Sequence, residues 1–345
     1  MEKTFFRSVI FILIFVVCIF FSGFVSLAAE PVKTIRIGSI LPKNNPLTPV
    51  VYKLRDMVSN RTKGRIKIVY HPNSELGSAV EQISGVRMGT QEVWLGSNGQ
   101  MARLLSTFQL LNPAFAYKDK ADKKAFLDSP FFSQMREELR KKFGVVMLSH
   151  DWFRGYRNIL TKKPVRKLDD LKGIKLRVPR SQAKLFSWKT FGASPTPTSA
   201  AEIYMSLREG VIEGVEYNLF VFHYDHFDEI CKYCTLTNHD ASYNSLLINQ
   251  KIWNSIQKGD REIILDAISE CSKWHEERMN QLTEEIKNAM NKEQNVTFIN
   301  LAPEERIKFV RAGQKVFDEL EMTKKWWPKC TVEKIRAKDP QYYRP

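Results

Sequence analysis

The sequence is poor in cysteine and in acidic residues, and it has no long apolar run after its first thirty positions. Five cysteines in 345 residues are few, and a chain of this length does not need a disulfide framework to fold. Acidic residues number 38 against 53 lysines and arginines, so the net charge of +15 favours anionic partners. No arginine-rich tail and no basic motif with interleaved aromatic residues is present, which argues against nucleic acid as the partner. The sequence also has no internal repeat and no low-complexity linker.

The first residues follow the order of parts of a signal peptide. Lys3 and Arg7 precede an apolar run at 9–21, and a stretch of small residues follows that run. We expect cleavage after Ala28, with Ala29 as the next choice, and export to the periplasm. The apolar run is shorter than the roughly 20 residues of a spanning helix, which argues against the alternative of an uncleaved anchor.

The remainder of the chain alternates short strands with helices. This βαβα order predicts an α/β fold whose sheets are covered on both faces, and the length exceeds one ordinary core, which suggests two domains with a cleft. Ser199 and Glu202 form a capping box that starts one of the helices. Alternation of apolar residues predicts strands at 34–41, 65–71, 92–95, 145–148, 157–161, 174–178, 211–216, 234–237 and 243–249. Helical periodicity predicts helices at 46–63, 77–89, 120–143, 181–191, 200–209 and 260–291.

Arg177 occupies a position from which an arginine can reach a ligand. It lies at the carboxyl end of the predicted strand 174–178, which Pro179 stops. Ligands of open α/β sheets bind beyond the carboxyl ends of the strands. A guanidinium group can grip both oxygens of a carboxylate, whereas most arginines are solvated surface residues. The strand alone leaves both alternatives open.

The chain after the signal peptide carries ordered motifs along nearly its whole length. These motifs resemble those of the DctP family, the solute-binding proteins of TRAP (tripartite ATP-independent periplasmic) transporters. The early part carries the run His-Pro-Asn-Ser-Glu-Leu-Gly at 71–77. The strongest stretch, 157–239, includes Asp-Leu-Lys-Gly-Ile-Lys-Leu-Arg-Val-Pro at 170–179, Gly-Ala-Ser-Pro-Thr-Pro at 192–197 and Glu-Gly-Val-Glu at 213–216. The resemblance implies a receptor without enzymatic activity, cofactor or metal, which binds a small carboxylate and delivers it to the membrane subunits of a transporter.

The resemblance also implies roles for individual residues. Arg177 matches the arginine that forms the main salt bridge to the solute carboxylate, and Arg157 matches a second arginine that assists it. Arg154 competes with Arg157 for that second role. We add Glu216 and Ser97 to the candidate ligand-binding residues.

Two positions depart from the family pattern. Relatives often follow the glutamate with an asparagine that bonds the ligand, whereas this chain has Tyr217 there and Asn218 one position later. Relatives also place a bulky aromatic residue where this chain has Ala200. We therefore expect carboxylate capture to be retained in a reshaped or roomier pocket.

The architecture that the resemblance implies is a two-lobed type II periplasmic-binding-protein-like fold with a long helix spanning both lobes. Residues 1–28 form the signal peptide. Lobe I comprises 29–154 and 243–282, lobe II comprises 155–242 and 283–322, and a C-terminal extension covers 323–345.

A periplasmic hydrolase, or another exported enzyme acting on an acidic substrate, is the alternative function. Ser149, His150 and Asp151 are consecutive, but neighbouring side chains on a strand point to opposite faces and do not form a catalytic relay by themselves. The sequence has neither a Gly-x-Ser-x-Gly nor a His-Glu-x-x-His motif. An exported adhesion module is a further alternative, although it would not account for the arginine and its surrounding motif.

Histidines and cysteines concentrate at 223–234. His223 and His226 are spaced more tightly than usual zinc ligands, and Cys231 and Cys234 follow across a predicted break between elements. A zinc site is therefore disfavoured against separate roles in packing and on the surface. Disulfide pairing among Cys231, Cys234 and the two later cysteines stays open.

Overall fold

The computed structural model describes residues 32–328 and 331–336, so the predicted signal peptide at 1–28 and Cys330 lie outside the described residues. The described strands are β1 Lys33–Gly38, β2 Ile66–His71, β3 Val93–Ser97, β4 Val145–Thr161, β5 Lys175–Val178, β6 Ser194–Pro197, β7 Gly214–Asn218, β8 Tyr233–Asn249 and β9 Thr297–Ile299. The described α-helices are α1 Leu47–Arg61, α2 Ala79–Met88, α3 Lys120–Leu127, α4 Pro130–Phe143, α5 Gln182–Thr190, α6 Ile203–Arg208, α7 Leu219–Tyr224, α8 Gln250–Asn254, α9 Lys258–Gln294, α10 Pro303–Lys324 and α11 Thr331–Arg336.

The nine described strands form one mixed sheet. Its order is β2-β1-β3-β8-β4-β7-β5-β6, and β9 pairs with the start of β8. β1 and β3 are parallel, as are β5 with β6 and with β7, whereas β4 pairs antiparallel with both β7 and β8. The two long strands β4 and β8 therefore join the β1–β3 part of the sheet to the β5–β7 part.

β4 and β8 each run for 17 residues, which corrects the prediction of two short strands in each place. The register between them shifts at four points, including one between Phe153 and Tyr156. The shifts fall where polar and charged residues interrupt the apolar alternation, and the predicted strands stop at these interruptions. Several polar side chains in the middle of these strands are buried against other elements, as Arg157 is bonded to Glu216 of β7 and Asp240 to Lys123 of α3, so the strands continue through them.

Two apolar clusters form the core. The first cluster packs α1 and the start of α9 against β1 and β2, and its members include Val50, Leu54 and Ile264. α1 joins it because its apolar residues fall three and four positions apart, which places them on one helical face. The second, larger cluster contains Trp188, Phe309 and Leu176 and surrounds β5, α5 and α10.

The predicted long helix is confirmed as α9, which spans 37 residues. It packs against α1, β4 and α7 and so contacts elements on both sides of the long strands. Asn295 ends it in the left-handed region with φ 53°. Within residues 32–328 and 331–336, no helix combines the length and the hydropathy needed to cross a bilayer.

The prediction of one helix at 120–143 is wrong, because the structure has two helices there. α3 ends at Leu127, and Pro130 is the first residue of α4, where its missing N–H costs no hydrogen bond. The predicted capping box is confirmed, with Ser199 and Glu202 bonded reciprocally at the start of a short 3₁₀ turn that leads into α6.

The described part of the predicted C-terminal extension packs on α10. Trp327 is buried against Phe317, with 5.7 Å between ring centroids, and its indole N–H donates to Glu321 at 3.2 Å. The lobe boundaries predicted from the sequence, including the start of the extension at 323, stay a prediction.

Candidate functional site

Three arginines surround the ring of Tyr217 at the end of β7. The guanidinium carbons of Arg157, Arg154 and Arg177 lie 4.5, 5.3 and 5.5 Å from the ring centroid. All three side chains are buried, with at most 6 % of their surface exposed. Three positive charges are therefore held within 5.5 Å of one aromatic ring, a distance at which cation–π attraction operates.

A bulge in β4 brings two of these arginines to the same side. Arg154 and Arg157 are three residues apart, so on a regular strand they would face opposite sides of the sheet. Between Phe153 and Tyr156, however, β4 carries one residue more than β8, and Gly155 adopts φ +84° there. The extra residue changes the alternation of side chains at this point. Both guanidinium groups therefore lie on the side of the sheet that carries Tyr217.

Arg157 is paired with a buried carboxylate. Its Nε donates to Glu216 Oε2 at 2.6 Å, and its Nη2 donates to the Glu216 carbonyl at 2.8 Å. Burial raises the pKa of Glu216, but the charges of Arg157 and Lys184, with a hydrogen bond to His239, outweigh burial and hold that pKa well below its ordinary value. Glu216 is therefore ionised and neutralises Arg157.

Arg177 and Arg154 have no carboxylate at ion-pair distance in the described chain, although the charge of Arg154 acts on Asp225 and lowers the pKa that burial raises there. Arg177 donates through Nε and Nη2 to the Thr198 carbonyl at 3.0 and 2.8 Å, while its buried Nη1 has no hydrogen-bond partner in the described residues. Arg154 donates through Nη2 to the Tyr217 hydroxyl at 3.4 Å, and its buried Nε is likewise unbonded within the described chain. Burial raises the pKa of Tyr217, but the neighbouring arginines bring it below its ordinary value.

Two buried lysines share one carboxylate beside the arginines. Lys123 from α3 contacts Asp240 Oδ1, and Lys184 from α5 lies 3.4 Å from Asp240 Oδ2. Burial raises the pKa of Asp240, but the two lysines outweigh that effect and lower it to about 2. Burial lowers the pKa of Lys184, and the charges of Glu216 and Asp240 offset only part of that effect. We call Lys123, Arg154, Arg157, Arg177 and Lys184, with Glu216 and Asp240, the basic cluster.

A cavity of about 130 Å³ opens beside Tyr217. One wall comes from the end of β3 and the turns after it, and the other comes from β4, β7 and the turn between β5 and α5. Among the described residues that line it, none is Asp or Glu. Its lining is Ser97, Gly99, Gln100, Ala102, Arg103, Gln109, Asn112, Arg154, Arg157, Pro179, Arg180, Ser181, Lys184 and Tyr217.

A smaller chamber of about 40 Å³ lies on another side of Tyr217. Arg154 and Tyr217 line both spaces, whereas Leu41, Ala200 and Phe220 line only the smaller one of the two. The smaller chamber is lined mainly by apolar side chains, with Asp225 and Asn45 among its polar ones. The cleft therefore offers a basic compartment and a mainly apolar compartment that meet at the tyrosine.

Comparison with known proteins identifies the family to which this chain belongs. The family model for the bacterial extracellular solute-binding proteins, family 7, also called DctP, matches residues 37–324. The chain belongs to this family. Its members are receptors that bind solutes, and the resemblance found in the sequence motifs is confirmed.

Individual relatives agree with this family assignment. The 2,3-diketo-L-gulonate-binding periplasmic protein YiaO of Escherichia coli is 29 % identical over 72 % of this solute-binding protein and 75 % of its own length. The sialic acid-binding periplasmic protein SiaP of Vibrio cholerae is 26 % identical over 78 % of this chain and 82 % of its own.

Solved structures confirm the predicted two-lobed α/β fold. The sugar acid binding protein of Advenella mimigardefordensis, crystallised with galactonate, superposes with a TM-score of 0.82 at 26 % identity. The superposition covers 90 % of this solute-binding protein and 99 % of that chain.

The residues predicted to contact the ligand fall at different places in this solute-binding protein. Ser97, Arg157 and Tyr217 line the larger cavity, and Ala200 lines the smaller chamber. Arg177 lines neither of the two and lies against Tyr217 instead.

The other two predicted residues have partners within the protein. Glu216 is engaged by Arg157, and the Asn218 amide donates to the Gly155 carbonyl at 2.9 Å. Asn218 lines a separate cavity of about 250 Å³ against α9. Asn218 therefore supports the bulge of β4 at Gly155, and Glu216 fixes the guanidinium group of Arg157.

The sequence interpretation missed Lys123, Lys184 and Asp240. Lys123 lies among other charged residues on the amphipathic helix α3, and Lys184 lies on α5, and a lysine on a helix normally faces solvent. Asp240 follows Asn238-His239, a polar stretch typical of a turn. Only the packing of α3 and α5 against the middle of β8 brings the three together, so no local signal identifies them.

The histidines and cysteines at 223–234 have separate partners. His223 bonds Asp228 at 2.8 Å, and His226 pairs with Glu229 at 3.0 Å near the surface. Cys231 and Cys234 are buried free thiols, and Cys271 is a third. In the described ranges, no group of three or more His, Cys, Asp or Glu side chains is arranged to hold a metal.

Ser149, His150 and Asp151 do not form a relay of hydrogen bonds. Ser149 donates to Asp151 at 3.0 Å, whereas His150 lies 3.7 Å from Asp128. A serine nucleophile that is activated by histidine requires the histidine to lie between the serine and the carboxylate. His150 does not lie there.

Proposed function

We propose that this protein is a periplasmic receptor that captures a small organic acid in its cleft and delivers it to the membrane subunits of a TRAP transporter, without chemical turnover. One observation carries the proposal. Arg154 and Arg177 are buried cations with unbonded N–H groups, of which Arg154 lines a cavity that no described carboxylate lines and Arg177 lies against Tyr217 in the wall of that cavity. Buried charge is stable only when it is paired, so an anionic solute supplies the missing partner.

Arg177 and Arg157 hold the solute carboxylate in this proposal. Tyr217 contacts Arg177 and lines the cavity, whereas Arg177 does not line it. Entry of the solute therefore moves the Tyr217 ring and gives the carboxylate access to Nη1 of Arg177. A hydrogen bond to a charged group contributes roughly 1.5 to 3 kcal/mol, so a few such bonds suffice for micromolar binding, which corresponds to about 8 kcal/mol.

The relatives support a carboxylated solute. Sialic acid, 2,3-diketo-L-gulonate and galactonate are the solutes named for three of them, and each carries a carboxylate. The cavity of about 130 Å³ favours a compact acid. Closure of the two lobes around the acid excludes water and strengthens its ion pairs, and the membrane subunits then recognise the closed shape.

The N-terminal pattern supports export. Residues 1–28 serve as a cleaved signal peptide in this proposal, and the mature protein works in the periplasm. The separation of His150 from Ser149 and Asp151 supports a receptor without hydrolase activity.

Native mass spectrometry of protein purified without refolding tests the proposal directly. We expect a stoichiometric complex with an organic acid, and a raised melting temperature when that acid is added back. A solute present at 100 times its Kd stabilises the folded state by about 2.7 kcal/mol. The absence of both a co-purified acid and a thermal response to sugar acids, keto acids and dicarboxylates would contradict receptor function and favour an adhesion module. Turnover of ester, peptide or phosphate substrates would favour the hydrolase.

A further inference from the structure

A cavity of about 250 Å³ lies between α9 and the middle of β4. Its other walls come from the end of β7, from α7 and from β8. The methyl group of Met279 on α9 lies 3.8 Å from the position that a Cβ of Gly155 on β4 would take. We call this space, which Met279 and Gly155 both line, the α9 cavity. Among its described lining residues, only Arg154 also lines the larger cavity beside Tyr217, so the two spaces are distinct.

Two buried side chains that line the α9 cavity have unbonded polar atoms. Asn218 is fully buried, and its amide N–H donates to the Gly155 carbonyl at 2.9 Å. Its Oδ1 has no hydrogen-bond partner in the described residues, and neither has Nε of Arg154, which is 5 % exposed. A buried polar group without a partner costs free energy, so both atoms favour an occupant that completes their bonding. A hydroxyl group both donates and accepts, so it suits the oxygen of Asn218 and the N–H of Arg154.

The apolar part of the lining is rich in aromatic rings. Phe153, Tyr156 and Phe220 contribute three rings, and Phe153 meets Tyr156 edge to face with 5.9 Å between centroids. Water in the cavity would complete the bonds of Asn218 and Arg154, but it would gain little from the rings. An apolar body that displaces this water from the rings gains free energy. A cavity of roughly 150 Å³ holds benzene, so this larger space suits a ring with a few more atoms.

The charges around the α9 cavity favour an uncharged occupant. Glu284 and Lys287 of its lining pair with each other at 2.9 Å on α9. Arg154 acts on Asp225 of the smaller chamber, where burial raises the pKa of the carboxyl group and the charge of Arg154 lowers it. An uncharged ligand completes the bonding of the lining without disturbing these interactions.

We infer that the α9 cavity is a second binding site, distinct from the cleft, for a compact uncharged aromatic alcohol. The hydroxyl group of this ligand bonds Asn218 and Arg154, and its ring packs against Phe153 and Phe220. Arg154 lines the α9 cavity and both compartments of the cleft, so the ligand contacts an arginine that also borders the solute.

Methyl NMR of the unmodified mature protein, labelled with carbon-13 at its methionine methyl groups, tests the inference. The probes are two pairs of equal size, p-cresol with p-xylene and benzyl alcohol with ethylbenzene. We expect a saturable shift of the Met279 signal, assigned through Met279→Leu, while the signal of Met135, buried in α4, stays in place. The hydrocarbon of each pair is the more hydrophobic, so an alcohol that binds at least about fivefold more tightly reveals polar partners. Tighter or equal binding of the hydrocarbons, or no saturable shift with either alcohol, would overturn the inference and leave the receptor function standing.

Two variants locate the bound alcohol. Thr283 lines the α9 cavity, so Thr283→Phe should fill it and weaken binding of the alcohols by at least about tenfold. Ala200→Phe is the control, because it adds the same ring to the smaller chamber of the cleft and should change that Kd by less than about threefold. The reverse pattern would place the alcohol in the cleft and overturn the inference. Should Thr283→Phe fail to fold, Asn280→Phe replaces it, because Asn280 is exposed and lines the same cavity, and an unchanged Kd there would also overturn the inference.

Discussion

The first apolar cluster and the basic cluster are both buried, yet they contribute differently to stability and to binding. The first cluster packs aliphatic side chains of α1 against β1, β2 and α9, and apolar burial of this kind stabilises the fold without a ligand. The basic cluster buries five cations against two carboxylates, which costs stability until an anion arrives. The comparison teaches that stability and binding have separate locations, so substitutions should affect one and spare the other.

The largest expected effect is a loss of solute binding after a substitution in the basic cluster. Arg177→Met removes the guanidinium group and keeps the apolar stem, and we expect the affinity for the solute to fall by about 3 kcal/mol, roughly a hundredfold. Titration calorimetry with the co-purified acid measures the change. Arg208→Met, at an exposed position in α6, is the control. A Kd within a factor of about three of the original would remove Arg177 from the carboxylate site.

A substitution in the first apolar cluster should have the opposite pattern. Leu54 is 1 % exposed, so Leu54→Ala leaves a cavity and should lower the free energy of unfolding by about 3 kcal/mol. Urea unfolding measures this loss, and the Kd of the folded fraction should stay the same. Leu265→Ala, at a side chain that is 41 % exposed, should change stability by less than about 0.5 kcal/mol. Equal losses in the two variants would contradict the assignment of the core.

One titratable ring at the border of the first cluster should make stability depend on pH. Burial lowers the pKa of His275 to about 4, against about 6.5 in the unfolded chain. As pH falls, the unfolded state takes up the proton first. The contribution of His275 to the free energy of unfolding is therefore complete above pH 6.5, and about 3 kcal/mol is lost between about pH 6.5 and pH 4. Urea unfolding of the original protein and of His275→Leu across this range measures it. Parallel curves for the two proteins would refute the prediction.

The smallest expected effect concerns the apolar compartment of the cleft. Ala200 is exposed and lines the chamber of about 40 Å³, so Ala200→Phe should fill that chamber and change stability by less than about 0.5 kcal/mol. We expect weaker binding of solutes with a bulky end, by up to about tenfold, and little change for short acids. A uniform loss across solutes of all sizes would indicate that the chamber is not part of the binding space.

The same comparison explains what the sequence could predict. α1, β2 and α9 follow regular apolar periodicity because they serve the first cluster and its surroundings, and the predicted elements lie within a few residues of those observed. The long strands were predicted as separate pieces, because their central parts carry Arg154, His239 and Asp240, which interrupt the apolar alternation.

The candidate site was predictable only where a motif marks it. Arg177 and Arg157 were found through the resemblance, and Ser97, Tyr217 and Ala200 do line the cleft. Lys184 and its partner Asp240 are 56 positions apart and meet only through tertiary packing. Both residues are charged, whereas buried positions of helices and strands are expected to be apolar, so periodicity directs attention away from them.

The bulge at Gly155 constrains how this protein can change over evolutionary time. The extra residue determines which side of the sheet each later side chain of β4 faces. Deletion of one residue at the bulge would therefore turn Arg157 and the residues after it to the opposite face of the sheet. Surface loops elsewhere tolerate gains and losses of residues at little cost. Lineages of this receptor should therefore diverge by substitution in the cleft and by insertion at the periphery, and the length of this strand should be inherited unaltered.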